Sequence, residues 1–178
     1  MKKTIILLIT TVLFFTGCKT QKNSTQKITT ETEDASWEEK AVQALNDRKF
    51  ILEAEKIYFK SGDFTYVTAN TNFISMHEDK ATIQMAFNSP PVGSNGIGGI
   101  TLDGRVSNIK MDTDKKGVVT FSMMVQGTGI SANVLIKLYK GDNRCDATIT
   151  PNFNSNKISF SGNLYKEEDS NVFKGRAL

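Results

Sequence analysis

The chain has few of the residues from which metal sites and disulfides are built, with one histidine and two cysteines among 178 residues. This scarcity excludes a multi-histidine metal site, a four-cysteine zinc site and a disulfide-rich scaffold. Charge of one sign is also scarce, since 22 basic residues face 19 acidic ones and leave a net charge of +3. An electrostatic nucleic-acid binder would carry a clustered basic excess. We therefore predict no metal, no cofactor and no nucleic-acid partner.

The first 18 residues are typical of a lipoprotein targeting signal. Met1-Lys2-Lys3 is a positive start, and residues 4–15 form an apolar run of signal-peptide length. Phe15-Thr16-Gly17-Cys18 resembles the bacterial lipobox, whose cysteine thiol receives lipid. We predict a signal peptide over residues 1–17 and acylation of Cys18. The alternatives are an ordinary secretory signal with an incidental cysteine, or a transmembrane anchor, although a span needs ~20 apolar residues.

A lipidated cysteine predicts a place in the bacterial cell envelope. A cysteine that carries several acyl chains is held stably at a membrane. Lys19 stands where an inner-membrane retention signal would have aspartate, which favours the outer membrane. Residues 19–27 lack an acidic cluster that would resemble a surface-export tag, which favours the periplasmic side. Two of the three net positive charges, Lys2 and Lys3, would leave with the signal peptide.

Beyond the anchor, composition divides the chain into three parts. Residues 18–35 hold the lipidated cysteine and a tether rich in Thr, Ser, Gln and Lys, which has too little apolar surface to order itself. Residues 36–165 form the folded domain, and residues 166–178 form a charged peripheral tail. Hydrophobic residues make up 39% of the chain, enough for the core of one domain.

The folded domain is predicted to begin with one amphipathic helix from Ser36 to Asp47. Ser36 and Glu39 match a capping box, in which the two side chains satisfy free amides of the first turn. Apolar residues then recur at helical spacing, namely Trp37, Ala41, Ala44 and Leu45. A helix of this length is marginal alone and must pack against the rest of the domain.

From Arg48 onward the apolar period changes to two, which predicts strands with one buried face. Such strands are typical of antiparallel sheets. The inward sets are Phe50, Leu52 and Ala54; Ala81, Ile83, Met85 and Phe87; Val119, Phe121, Met123 and Val125; Ala132, Val134, Ile136 and Leu138; Cys145, Ala147 and Ile149; and Ile158, Phe160 and Leu164. We predict a mainly β fold of about eight antiparallel strands in a curved sheet, sandwich or barrel.

The segment from Ile100 to Met111 changes phase partway along. Leu102 and Val106 share one phase, whereas Ile109 and Met111 share the other. Because a one-residue slip would turn every following side chain to the opposite face, we predict a bulge near Ser107-Asn108.

The order and spacing of several short stretches resemble an uncharacterised bacterial lipoprotein family, domain of unknown function 4251, over about residues 38–165. The stretches are Arg48-Lys49-Phe50, Ala54-Glu55, Glu78-Asp79-Lys80, the loop from Ser89-Pro90-Pro91-Val92-Gly93 to Gly98-Gly99-Ile100, Asp103-Gly104 and Ile158-Ser159-Phe160-Ser161-Gly162. The resemblance implies a secreted, lipid-anchored, β-rich domain. It implies no catalytic residue.

The most unusual stretch is residues 88–99, because two prolines stiffen one limb and four glycines permit left-handed backbone. We interpret it as a candidate binding loop held by the sheet, or else as a long crossover between strands. The residues that define it are Ser89, Pro90, Pro91, Val92, Gly93, Gly96, Gly98 and Gly99. No Gly-Lys-Ser/Thr follows, so it is not a Walker phosphate loop.

Three other features have structural explanations that we favour over chemical ones. His77 precedes Glu78-Asp79 and is interpreted as a solvated residue entering a hairpin, rather than a metal ligand or a general base. Asp112-Thr113-Asp114 is interpreted as a polar turn, because Lys116 stands at a position that opposes calcium. Cys145 lies in an apolar set and is interpreted as a buried free thiol.

These observations favour a non-enzymatic binding module of the envelope, whose partner is another envelope protein, a glycan or a peptide. The alternative is a lipocalin-like carrier of a small hydrophobic ligand, suggested by the curved sheet and by methionines in the strands. A hydrolase that uses Glu53, Asp103 or Asp146 is supported only by the presence of these acidic residues.

Overall fold

The computed structural model describes residues 24–86, 99–152 and 157–172, with side chains of the helix from Asp34 onward. Within these ranges it has one α-helix, nine strands and two single 3₁₀ turns, at Ala69–Thr71 and Glu167–Asp169. The helix and strands are α1 (Ser24–Asp47), β1 (Lys49–Tyr58), β2 (Phe64–Tyr66), β3 (Phe73–His77), β4 (Lys80–Ala86), β5 (Gly99–Thr113), β6 (Val119–Gln126), β7 (Ser131–Leu138), β8 (Arg144–Pro151) and β9 (Ile158–Lys166).

The strands form a closed antiparallel barrel in up-and-down order. From β3 to β9 each strand pairs with its neighbour in sequence, and β9 returns to pair along almost the whole of β1. Strand β1 is shared on its other edge, because β3 pairs with its first half and the short β2 with its last three residues. Eight strands therefore close the ring. The predicted barrel is confirmed, and the sandwich alternative was wrong.

The alternation found in the sequence divides inward from outward side chains. Large inward residues such as Phe50, Phe121 and Phe160 are at most 1% exposed, and Met85 and Leu102 are 6% and 8% exposed. Phe50 and Phe121 meet edge to face across the barrel with ring centroids 5.6 Å apart. The other large inward residues are Leu52, Ile57, Ile74, Met76, Ile83, Met123, Val134, Ile136, Leu138, Phe160 and Leu164. The predicted core faces are confirmed for the described residues, with Ile158 only partly buried, whereas Phe87 lies outside the described residues.

The predicted irregularity in β5 is also confirmed. The register with β6 shifts between Ser107 and Lys110, and Asn108 has a φ of 54°, in the left-handed region. This extra residue restores the phase, so that Val106 before the bulge and Ile109 and Met111 after it all pack against the core.

The helix is longer than predicted and begins at Ser24 instead of Ser36. Residues 24–35, assigned above to the tether, are therefore helical, and Ser36 and Glu39 lie within the helix instead of capping it. The physical reason is that no proline or glycine interrupts residues 19–47. Once a packed turn exists, each added residue gains a hydrogen bond without a new nucleus.

The helix packs on the core through small side chains. Ala41, Ala44 and Leu45 are buried among the inward barrel residues. Trp37 was predicted to share this face but is 36% exposed, and its ring meets Tyr165 edge to face at 6.0 Å. The amide of Gly141, between β7 and β8, donates to Glu38 Oε2 at 2.8 Å. These contacts join the helix to both β9 and the β7–β8 turn.

The closure of the barrel predicts an asymmetry between two glycines. A Cβ added to Gly162 on β9 would lie 1.9 Å from the carbonyl oxygen of Glu53, whereas a Cβ added to Gly129 meets nothing within 4 Å. Gly162→Ala should therefore force β1 and β9 apart and lower the free energy of unfolding by about 1–3 kcal/mol. Gly129→Ala is the matched control and should leave urea denaturation nearly unchanged. Equal stability of the two variants would contradict the tight seam.

Candidate binding groove on the outer face of the barrel

Most of the sites predicted from the sequence lie outside the described residues. This holds for the signal peptide, Cys18 and the candidate binding loop up to Gly98. Gly99 is described, and it is a buried residue of β5 paired with Ala86 on β4. Its added Cβ would lie 1.7 Å from the carbonyl oxygen of Met85. Gly99 thus serves strand packing, while the binding role of the loop stays a prediction.

His77 lies at a polar hairpin as predicted, whereas the turn predicted at Asp112-Thr113-Asp114 begins later, because Asp112 and Thr113 are paired residues at the end of β5. His77 ends β3 at an exposed hairpin, and its Nδ1 lies 2.7 Å from Glu167 Oε2 in the C-terminal 3₁₀ turn. Asp114 Oδ1 accepts bonds from the amides of Lys116 and Val118, at 2.7 Å and 3.0 Å. The amide of Val118 is the main cause that lowers the pKa of Asp114. Glu167 thus pairs with His77, and Asp114 is bonded to the backbone of its own turn.

The carboxylates considered for a hydrolase do not converge. Glu53 lies on β1, Asp103 on β5 and Asp146 on β8, and no two of these strands are neighbours in the barrel. Each carboxylate accepts a hydrogen bond from a hydroxyl group, of Ser170, Thr82 and Tyr139 respectively. None of the three carboxylates is therefore placed on a strand beside another of them.

Small polar side chains of β8 and β9 form the floor of a groove on the outer face of the barrel. The register places Thr148 opposite Ser159, and Asp146 opposite Ser161. Inward neighbours alternate with them, so all four point away from the core. Because these side chains are short and those on the flanking strands are long, the surface is concave here.

The flanking strands supply the walls of this outer groove. Tyr58 on β1 stands beside Ser159, while Leu135 and Lys137 on β7 stand beside Thr148 and Asp146. One part of the groove has a volume of about 430 Å³ and extends to Lys157. The adjoining part has a volume of about 610 Å³ and extends to Arg144, Asn163, Glu55 and Lys56. These sizes fall in the range of small-molecule sites.

Tyr139 is fixed above the groove by a hydrogen bond. Its hydroxyl donates to Asp146 Oδ2 at 2.6 Å, and this bond is the main cause that raises the pKa of Tyr139 to about 12. The bond holds the ring in one orientation and leaves the aromatic face 40% exposed. Tyr139 and Tyr58 therefore present aromatic surface on opposite sides of a polar floor.

An exposed aromatic patch adjoins the groove at the β1–β2 hairpin. Tyr58, Phe64 and Tyr66 are 39%, 55% and 71% exposed, and their rings follow one another at 5.7 Å and 5.9 Å. Lys56 Nζ lies 4.9 Å from the centroid of Tyr66, a cation–π distance. Sequence reasoning missed this patch. The available signal was four aromatic residues, Tyr58, Phe59, Phe64 and Tyr66, within nine positions around the turn Ser61-Gly62-Asp63.

Comparison with known proteins identifies the family of this barrel. Residues 32–164 match the family described as Domain of unknown function (DUF4251). The chain belongs to this family. The DUF4251 family protein from Bacteroides eggerthii, whose crystal structure is known, is 46% identical to it. That structure superposes with a TM-score of 0.71, and the alignment covers 83% of this chain and 99% of the other. No curated protein matches the chain.

The described part of this DUF4251 protein contains neither a membrane-spanning helix nor a clustered set of metal ligands. No helix there has both the length and the apolar character needed to cross a membrane. No cluster of three or more His, Cys, Asp or Glu side chains there has the arrangement of a metal site. The outer groove and the aromatic patch are accordingly the features that we take as the candidate site.

The environment of Cys145 predicts an unreactive thiol. Cys145 points into the core and is 1% exposed, and burial raises its pKa well above the ordinary value, with smaller effects from Asp146 and Asp142. In the full chain carrying Cys18→Ser, an aromatic disulfide reagent should label Cys145 only after denaturation. Rapid labelling of the native protein would contradict this environment.

The bond between Tyr139 and Asp146 predicts a separate step in a phenol titration. Absorbance of the phenolate should show one tyrosine titrating near 12, against an ordinary value of 10.0, and Tyr139→Phe should remove that step. Because the raised pKa means that the folded state holds the proton more tightly, this contribution to stability is complete below pH 10 and is lost as the pH rises toward 12. Asp146→Asn should lower the pKa of Tyr139, so that its titration step occurs at a lower pH. An unchanged step in Asp146→Asn would contradict the assignment.

Proposed function

We propose that this DUF4251 protein is a non-enzymatic binding module of the bacterial envelope, anchored by lipid on Cys18 to the periplasmic side of the outer membrane. The anchor is supported by the match of Phe15-Thr16-Gly17-Cys18 to a lipobox and by Lys19 after the cysteine. A lipid anchor confines a protein to one surface without giving it an activity. We therefore look for the activity in the folded domain.

The observation that carries the binding function is the outer groove with its two tyrosine walls and the adjoining aromatic patch. Exposed aromatic residues on a rigid scaffold cost little conformational entropy on binding and are enriched at recognition surfaces. Here Tyr58 and Tyr139 line a polar concavity, and the exposed rings of Phe64 and Tyr66 continue from Tyr58. The carboxylates that could serve an enzyme are instead bound to hydroxyls of the protein.

The alternative of a lipocalin-like carrier is supported by the closed up-and-down barrel, the architecture that lipocalins use. A carrier also needs interior space, however, and large inward side chains such as Phe50, Phe121 and Phe160 are buried in the described core. Native mass spectrometry of the chain carrying Cys18→Ser should therefore give the mass of the polypeptide alone. A co-purified lipid that is released on denaturation would favour the carrier instead.

Sedimentation with isolated envelopes tests the binding function. The full chain carrying Cys18→Ser, which cannot be acylated, should pellet with the envelope fraction of the bacterium that produces it. Ser159→Trp places a bulky ring on the groove floor beside Tyr58 and should lower the bound fraction by ~10-fold, the equivalent of one or two lost hydrogen bonds.

The matched control is Ser122→Trp, which places the same ring on the outer face of β6, outside both parts of the groove. This variant should pellet like the parent chain. An absence of pelleting, or equal binding by the two tryptophan variants, would overturn the proposed function.

A further inference from the structure

We propose that the ligand of the outer groove is a negatively charged oligosaccharide of the envelope. This inference rests on the proposed function and adds the chemical class of the ligand. Three properties of the groove carry it, namely the hydroxyl floor, the tyrosine walls and the distribution of charge.

The floor offers groups that match the edge of a sugar. Thr148 Oγ1 and Ser159 Oγ lie 3.4 Å apart, and Ser161 follows on the same face of β9. A hydroxyl both donates and accepts, so each of these side chains has capacity beyond one internal bond. Sugar hydroxyls have the same dual character and would bond along this row.

The walls offer groups that match the face of a sugar. A pyranose ring has one face of C–H groups and a rim of hydroxyls, and the C–H face stacks on aromatic rings. Tyr58 and Tyr139 have this amphipathic character, with an apolar ring and a polar tip. The bond from Tyr139 to Asp146 fixes one wall before a ligand arrives, which reduces the entropy lost on binding.

The charge of the groove is positive although the protein is nearly neutral. Lys56, Lys137 and Lys157 line it, and none of the three has a salt bridge within the described residues.

The remaining charges of the groove have partners within the barrel. Glu55 accepts a bond from Asn163 at 3.0 Å, and Asp146 accepts one from Tyr139. Arg144 pairs with Asp142 at 3.0 Å. Glu55 and Asp146 keep their negative charges, but the three lysines outnumber these two carboxylates, and the resulting positive excess can attract a carboxylate or phosphate on the ligand.

The closed barrel disfavours an extended peptide as the ligand. Peptides commonly bind by adding a strand to a free sheet edge, but β9 occupies one edge of β1 along almost its whole length. All eight barrel strands thus have a neighbouring strand on each side, and the edges without a partner strand among the described residues, on the three-residue β2 and the last part of β5, lie outside the β8–β9 floor of the groove. A ligand read by side chains alone, as a glycan is, fits this surface better.

The test uses envelopes stripped in successive steps, with the full chain carrying Cys18→Ser as the probe. Binding should survive digestion of envelope proteins by protease and extraction of lipids. It should be lost after periodate, which cleaves the vicinal diols of sugars, and it should weaken at high salt. Carbodiimide amidation removes carboxylates and hydrofluoric acid removes phosphates, so the treatment that abolishes binding identifies the anion.

The double variant Lys137→Gln with Lys157→Gln should lower affinity for the stripped polysaccharide by ~10-fold or more, since each lysine supplies a charge-assisted contact. The control is Lys110→Gln with Lys115→Gln, which removes the same charge outside the groove and should bind like the parent.

Several outcomes would overturn the oligosaccharide without overturning the binding module. One is groove-dependent binding to whole envelopes that is lost after protease treatment or lipid extraction. Another is groove-dependent binding that persists after periodate. Binding that withstands both carbodiimide and hydrofluoric acid would contradict a negatively charged ligand. A double lysine variant that binds like its control would contradict it as well. Failure to bind whole envelopes at all would overturn the proposed function itself.

Discussion

The pairing of β9 with β1 is the interaction on which the rest of the structure depends. It joins strands about a hundred residues apart in sequence, with Phe50 opposite Lys166 and Tyr58 opposite Ser159. At its centre a register shift between Ala54 and Lys56 meets Gly162, the one residue type that allows the backbones to approach so closely. Without this seam the sheet would keep two long free edges, which are liable to aggregate. With it, the inward faces enclose a single core.

Closure also separates the two faces of every strand into different roles. The inward side chains fill the barrel around Phe50 and Phe121, so that stability depends on the interior. The outward side chains are free of that demand, and on β8 and β9 they are small and polar between two tyrosine walls. This arrangement favours a ligand on the outside of the barrel, in contrast to the interior cups of carriers with the same strand order.

Local patterns in the sequence predicted much of this fold because the underlying physics is local. A strand with one buried face alternates whatever its partners are, so Val119, Phe121 and Met123 could be assigned inward from their spacing alone. The change of phase near Asn108 likewise located the bulge in β5. The predicted helix start at Ser36 was wrong. A capping pattern marks the first turn of a helix only where the helix cannot extend further toward the N-terminus, and residues 24–35 contain no proline or glycine that would prevent this extension.

The sequence by itself determined that this protein is a single mainly β domain with one helix, an inward apolar set and a lipobox-like N-terminus. Only the tertiary structure decided that the strands close into a barrel, since closure depends on long-range register that no local pattern encodes. The groove follows the same rule. Tyr58, Lys137, Asp146 and Ser159 lie on four different strands, and each one alone is an ordinary surface residue. They become one candidate site because the pairings of β7 with β8 and of β8 with β9 bring the last three together, and the seam between β1 and β9 adds Tyr58.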